Sequence, residues 1–164
     1  MDPRLITGVD FEAFFDLHFD RVFRAVLLIA GDRIEAEDVA QEAFVKVYER
    51  WDGVALMDDP VGYLYRTALN ERRSRARRAI RWRRRSLFER APDDQTSASA
   101  IARAEVMRAL AGLTEEQRAV VALVEYVGME PSEAASVLGI SAEAARARLH
   151  RAREAMRQEL QDDA

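Results

Sequence analysis

Residues 131–160 read PSEAASVLGISAEAARARLHRAREAMRQEL, and this stretch decides the fold. Pro131 suits the first position of a helix, where a backbone N–H would have no partner inside the helix. Glu133, Ala134 and Ala135 follow, and the two alanines let a second helix cross closely. Gly139-Ile140-Ser141 supplies a tight turn. Ala145, Leu149, Ala152, Met156 and Leu160 then recur at i, i+4, i+7, i+11 and i+15, which predicts one apolar stripe on a helix over 142–160. His150 and Arg151 point away from that stripe, and Arg146 and Arg148 flank it. The stripe alone is equally that of an ordinary surface helix. A short helix, a glycine turn and a basic second helix together describe a helix-turn-helix. An arginine near the start of such a helix can pair with guanine O6 and N7, while its neighbours hold phosphates.

Helical patterning extends through the rest of the chain, and strand alternation is nearly absent. Asp10 is placed to cap a helix over 11–30 that ends at Gly31, with Phe11, Phe15, Val22 and Val26 at helical spacing. A second helix is expected over 33–51, with Val39, Ala43, Phe44, Val47 and Trp51 inward. Residues 52–58 read as a loop, and Asp59-Pro60 as the cap and first position of a third helix over 60–85. APDDQTSASA, residues 91–100, has no large apolar side chain and reads as a linker. Helices are expected again over 101–111 and 115–127, the latter opened by Thr114 and Gln117 at capping-box spacing and closed by Gly128. The expected fold is all-α: two small helical domains, residues 1–90 and 101–164, joined by a flexible linker over 91–100.

Composition narrows the function. The chain has 164 residues and no cysteine, which removes disulfides, thiol nucleophiles and thiolate zinc sites. The longest apolar runs, residues 25–30 and 119–124, are too short to span a bilayer, and residues 1–20 lack the basic start of a signal peptide. The net charge of −4 conceals an uneven distribution: −8 over residues 1–65, +9 over 66–90, −5 over 91–140 and +3 over 141–157. Lys46 is the single lysine among 25 basic residues, and a GC-rich genome would explain the arginine preference. Two basic islands on helices with apolar backs suit two contacts with a polyanion.

The first island begins inside the third helix. Val61, Leu64, Tyr65 and Ala68 form its inward side, whereas Tyr63, Arg66, Asn70, Arg73 and Arg77 share the opposite one. An aromatic that stacks, an amide that reads a base edge and arginines that hold phosphates suit a strand with exposed bases. Arg81-Trp82-Arg83-Arg84-Arg85 continues it as a non-specific phosphate clamp. The second helix carries Asp38, Gln41, Glu42, Val45 and Glu49 on one face. That pattern fits a solvated acidic face or a protein-docking face. Magnesium binding or acid–base work by the carboxylates finds no supporting histidine or second carboxylate motif. His18 reads as structural. No catalytic residue, metal site or cofactor motif is present.

Residues 36–44, AEDVAQEAF, followed by Trp51-Asp52, resemble region 2 of bacterial sigma factors. Tyr63-Leu64-Tyr65-Arg66 through Asn70 resembles its promoter-melting segment. Leu113-Thr114, Gln117-Arg118, Glu133-Ala134-Ala135 and residues 149–153, LHRAR, resemble region 4. With no room for regions 1 or 3, the chain resembles the extracytoplasmic-function group.

The resemblance implies a cytoplasmic factor, without catalysis or membrane insertion, that directs promoter-specific initiation. It implies that Asp38, Gln41 and Glu42 dock on the clamp helices of the largest subunit of core RNA polymerase. It also implies that Asn70 reads a flipped base of the −10 element beside Tyr63, Arg66, Arg73 and Arg77. Arg146, Arg148, His150 and Arg151 then meet the −35 element. Further implied partners are the polymerase flap and an anti-sigma protein. Ala144, Ala145 and Ala147 stand where the family has hydroxylated or β-branched residues, which predicts an unusual or weakly specified −35 sequence. Glu130 stands where the family has a Ser or Thr cap. A free-standing helix-turn-helix regulator with an acidic oligomerisation domain and an arginine-rich RNA-binding protein are the alternatives.

Overall fold

The structure, a computed structural model, describes residues 10–83 and 98–162. Eight α-helices and one π-helical turn account for nearly all of them, and no strand occurs among the described residues. The first half comprises α1 (Phe11–Ala30), α2 (Arg33–Glu49), the single turn α3 (Trp51–Val54) and α4 (Pro60–Arg83). The second comprises α5 (Ala98–Ala111), α6 (Glu115–Val121), the π turn Ala122–Tyr126, α7 (Pro131–Leu138) and α8 (Ala142–Asp162). The expected linker lies outside the described residues as far as residue 97, and α5 occupies its last three positions. The side chains of the arginine run at 81–85 also lie outside them.

The helix ends follow local chemistry, with some departures. Gly31, Gly128 and Gly139 all adopt positive φ, the left-handed conformation that ends a helix without a Cβ clash. Asp10 occupies the N-cap of α1 but its side chain makes no capping hydrogen bond, whereas Asp32 Oδ1 accepts from Glu35 N–H at 2.8 Å. The second helix stops at Glu49 rather than running through Trp51, because Arg50 leaves helical geometry (φ −117°, ψ 15°). Trp51 therefore begins α3 in what was expected to be partly loop. Asp59 Oδ1 accepts from Gly62 N–H at 2.8 Å, capping α4, and a Cβ at Gly62 would fall 2.0 Å from Asp59 Oδ2. Thr114 and Gln117 complete their capping box. Glu133 Oε2 accepts from Glu130 N–H at 2.8 Å, so the carboxylate three residues on supplies the bond at this cap.

Helix α6 does not continue regularly to residue 127. In the π turn, Val127 N–H donates to Ala122 O at 2.9 Å, five residues back rather than four, and Met129 N–H donates to Leu123 O at 2.9 Å. Glu125 on this turn pairs with Arg153 of α8, whose Nε donates to Glu125 Oε1 at 2.7 Å.

Both halves contribute to one buried core. In the first half an aromatic cluster surrounds Phe44: Phe15 lies edge-on at 4.9 Å and Phe19 at 5.6 Å, with Phe14 4.9 Å from Trp51. In the second, Ala134, Ala135 and Leu138 of α7 pack under Ala145, Leu149 and Ala152 of α8. Met156 is only partly buried and Leu160 is 54% exposed, so the apolar stripe of α8 stops serving the core before its last turn.

Side-chain bridges join the halves. Arg118 Nε donates to Ile29 O at 2.7 Å and its Nη1 to Leu113 O at 2.8 Å. That guanidinium thus closes the C-terminal end of α1 onto the loop before α6. Such charged donors contribute about 1.5–3 kcal/mol each when partly shielded. Arg72 reaches Glu35 Oε1 on one side and Glu115 Oε2 on the other, both at 3.3 Å. Arg73 Nη2 donates to Leu138 O at 3.4 Å, tying α4 to α7.

Candidate nucleic-acid interface

Helix α4 buries Leu64, Tyr65, Ala68 and Leu69 because these share one side of a 24-residue helix. Opposite them, Arg66, Asn70, Arg73 and Arg77 are exposed and Tyr63 is half-buried. The Tyr63 hydroxyl accepts from Arg50 Nη1 at 3.4 Å, and Thr67 Oγ1 donates to Tyr63 O at 2.8 Å. The loop that leads into α4 exposes two apolar side chains, Leu56 and Met57. The structure divides this stripe in two. Tyr63, Arg66 and Asn70 face open surface, whereas Arg73 and Arg77 line a cleft against the second half.

Helix α8 shows the same division. Ala145, Leu149 and Ala152 are buried, and Arg146, His150 and Arg151 are fully exposed. Ser141 Oγ accepts from Ala144 N–H at 3.0 Å and starts the helix, which presents Arg146 within its first two turns. Arg148 departs from expectation. It is half-buried and lines the cleft opposite Arg73 and Arg77 instead of lying beside Arg146.

On α2, Asp38 and Gln41 are exposed, Glu42 is half-buried, and Val45 is exposed beside them. Asp38 is not a free carboxylate: its Oδ2 lies 3.5 Å from Arg75 Nη1. Arg75 Nε in turn donates to Glu71 Oε1 at 3.0 Å, and Lys46 Nζ donates to Glu71 Oε2. Burial alone would raise the Glu71 pKa, but the hydrogen bonds and charges of Lys46 and Arg75 outweigh it and hold the carboxyl below its ordinary value.

The pattern of apolar positions had not pointed to Glu71, Arg72, Arg75 or Arg118. One signal was available: Glu71 is the only carboxylate between Arg66 and Phe88. His18 packs its ring 4.6 Å from Phe14, and burial, followed by the charge of Arg21, pushes its pKa down. The Tyr65 hydroxyl is buried without a partner; burial pushes the phenol up to about 12, with Arg21 opposing and Tyr126 adding. No helix among the described residues is long and apolar enough to cross a membrane, and none of their acidic or histidine side chains cluster as metal ligands.

Family profiles match both halves: sigma-70 region 2 over residues 14–84 and sigma-70 region 4 over residues 103–156. The chain is 34% identical over 155 residues to the RNA polymerase sigma-E factor of Streptomyces avermitilis, covering 93% of this chain and 86% of that one. It is 32% identical over 157 residues to the ECF RNA polymerase sigma factor SigL of Mycobacterium tuberculosis, covering 92% and 88%. In structure it resembles the sigma factor RpoE in its complex with the anti-sigma factor NepR from Bartonella quintana. That match has a TM-score of 0.80 at 20% identity and covers 94% of this chain and 98% of the other. It also resembles CnrH in complex with the cytosolic domain of CnrY, with a TM-score of 0.69 at 27% identity, covering 94% and 89%.

Proposed function

The chain belongs to the extracytoplasmic-function sigma factors, which direct transcription initiation and are not catalytic, and from that membership we propose how its residues divide the work. Residues 1–90 form the domain that docks on core polymerase and reads and melts the −10 element. Residues 101–164 form the domain that reads the −35 element, and residues 91–100 link them. The observation that carries this reading is the sorting of side chains on two helices, where the apolar sides are buried and the basic sides stay in solvent.

Asn70 reads a flipped −10 base, Tyr63 stacks beside it, and Arg66, Arg73 and Arg77 hold the strand backbone. Arg146 pairs with a base edge of the −35 element, and Arg148, His150 and Arg151 position the helix on phosphates. Asp38, Gln41 and Glu42, with Val45 adding apolar area, meet the clamp helices of the largest polymerase subunit. The second domain meets the flap. These partners place the factor in the cytoplasm, and an anti-sigma protein holds it inactive, as in the complexes of its structural neighbours. Arg73, Arg77 and Arg148 face one cleft, so the halves must separate before all three can serve DNA.

Family membership supersedes the free-standing regulator and the RNA-binding protein. The reading is tested by adding the protein to core polymerase and sequencing the transcripts. Start sites that share −10 and −35 sequences and require this protein support it. Core-dependent initiation without any shared promoter sequence overturns the recognition roles.

A further inference from the structure

The cleft between the halves has a volume of about 350 Å³. Its floor is apolar, built from Leu69 of the first half and Leu138 of the second, and its rim carries Arg73 and Arg77 on one side and Arg148 on the other. Of these three, only Arg73 has a hydrogen-bond acceptor among the described residues, the neutral Leu138 carbonyl at 3.4 Å. Glu116 is the nearby carboxylate not engaged with another arginine, which leaves the rim cationic.

The wall supplies a second, independent observation. Arg72 is about nine-tenths buried, its terminal nitrogens are matched by Glu35 and Glu115, and its Nε–H has no partner. A buried donor left open is costly unless an acceptor completes it. Three guanidiniums converging over an apolar floor match a ligand with a flat apolar body and a chain of phosphates.

We propose that this cleft binds a nucleoside polyphosphate, with the phosphates on Arg73, Arg77 and Arg148 and the base against Leu69 and Leu138. The ligand touches both halves, so it stabilises the closed arrangement over any open one. On the reading given under Proposed function, it also withholds three DNA-contacting arginines, so bound nucleotide and bound promoter exclude each other.

Calorimetric titration of the full chain with GTP, and separately with inorganic tripolyphosphate, tests the site. The expected result is saturable binding of GTP, at least fivefold tighter than tripolyphosphate because only GTP uses the floor. Arg73→Ala and Arg148→Ala, one from each half, should each weaken GTP by about tenfold, the usual worth of one charge-assisted contact. Arg24→Ala, which removes an exposed arginine remote from the cleft, should leave GTP binding unchanged. Circular dichroism of each variant checks that its helices persist. Absence of saturable binding, equal affinity for tripolyphosphate, or equal weakening by Arg24→Ala overturns the site. Undiminished GTP binding in the promoter complex with polymerase overturns only the mutual exclusion.

Discussion

Lys46 Nζ lies 2.6 Å from Glu71 Oε2, so the one lysine of the chain closes on the one carboxylate buried among the described residues. This pair pins α2 to α4, the two helices proposed to carry polymerase docking and −10 recognition. Lys46 is 45% exposed and Arg75 remains when it is lost, so Lys46→Met should cost about 1–2 kcal/mol, less than the 3–5 kcal/mol of a fully buried pair. The pH dependence has a definite sign. Glu71 has a lower pKa folded than unfolded, so its contribution is complete above the ordinary value of 4.5 and disappears as pH falls through the folded value. Urea titrations from pH 6 downward should show a shallower acid loss in Glu71→Gln than in the wild type.

Asp59 and Gly62 are coupled. Gly62→Ala gains helix propensity worth up to about 1 kcal/mol but drives out the Asp59 carboxylate, whose capping is worth a similar amount. The single substitution should therefore be nearly neutral. Asp59→Ala should cost about 1 kcal/mol beside Gly62 and almost nothing beside alanine. A double-mutant cycle by denaturant unfolding measures the difference, and additive costs would refute the coupling.

The Tyr65 hydroxyl is buried with no partner. Tyr65→Phe keeps the ring and removes the desolvated oxygen, so it should stabilise the protein by about 1 kcal/mol. A loss of stability in thermal unfolding would contradict that account.

The docking role of α2 predicts that Asp38→Ala combined with Gln41→Ala weakens core polymerase binding while the helical circular dichroism persists. Asp38 is one end of a chain running through Arg75 to Glu71, so Asp38→Asn tests charge apart from shape. Fluorescence anisotropy with labelled protein checks both, and unchanged affinity sinks the assignment.

Arg146→Ala should cost about 1–3 kcal/mol in promoter recognition if the side chain pairs with a base edge. Competition between intact and −35-altered promoters distinguishes the roles, because a phosphate contact would be lost equally on both.

Much of this fold is legible because helix ends are local events. Gly31, Pro60, the Thr114–Gln117 pair and Gly139 each announce a boundary through their own backbone chemistry. The break at Arg50 is not legible, since Val47 and Trp51 keep helical spacing across it. Nor is the joining of the halves: Arg118 finds Ile29 O across 89 positions, and a carbonyl acceptor leaves no trace in side-chain pattern. The same limit explains Arg148. Spacing on α8 places it beside the stripe, but only the packing of α4 decides that this flank faces a cleft. The proposed surfaces at Asn70, Arg146 and Asp38 were legible as exposed faces, because amphipathic spacing assigns solvent sides wherever the opposite side is buried.

The π turn at Ala122–Tyr126 has a consequence for how the helix-turn-helix tolerates change. Five residues there span what four would in an α-helix, so the segment holds one residue more than regular winding needs. Losing that residue would restore an ordinary helix but rotate everything after it by about 100° and draw it back by about 1.5 Å. Glu125 would leave Arg153, and α7 would meet α8 with the wrong side. Residues 122–126 therefore work as a counted spacer, open to exchange of one apolar side chain for another but closed to any change in length.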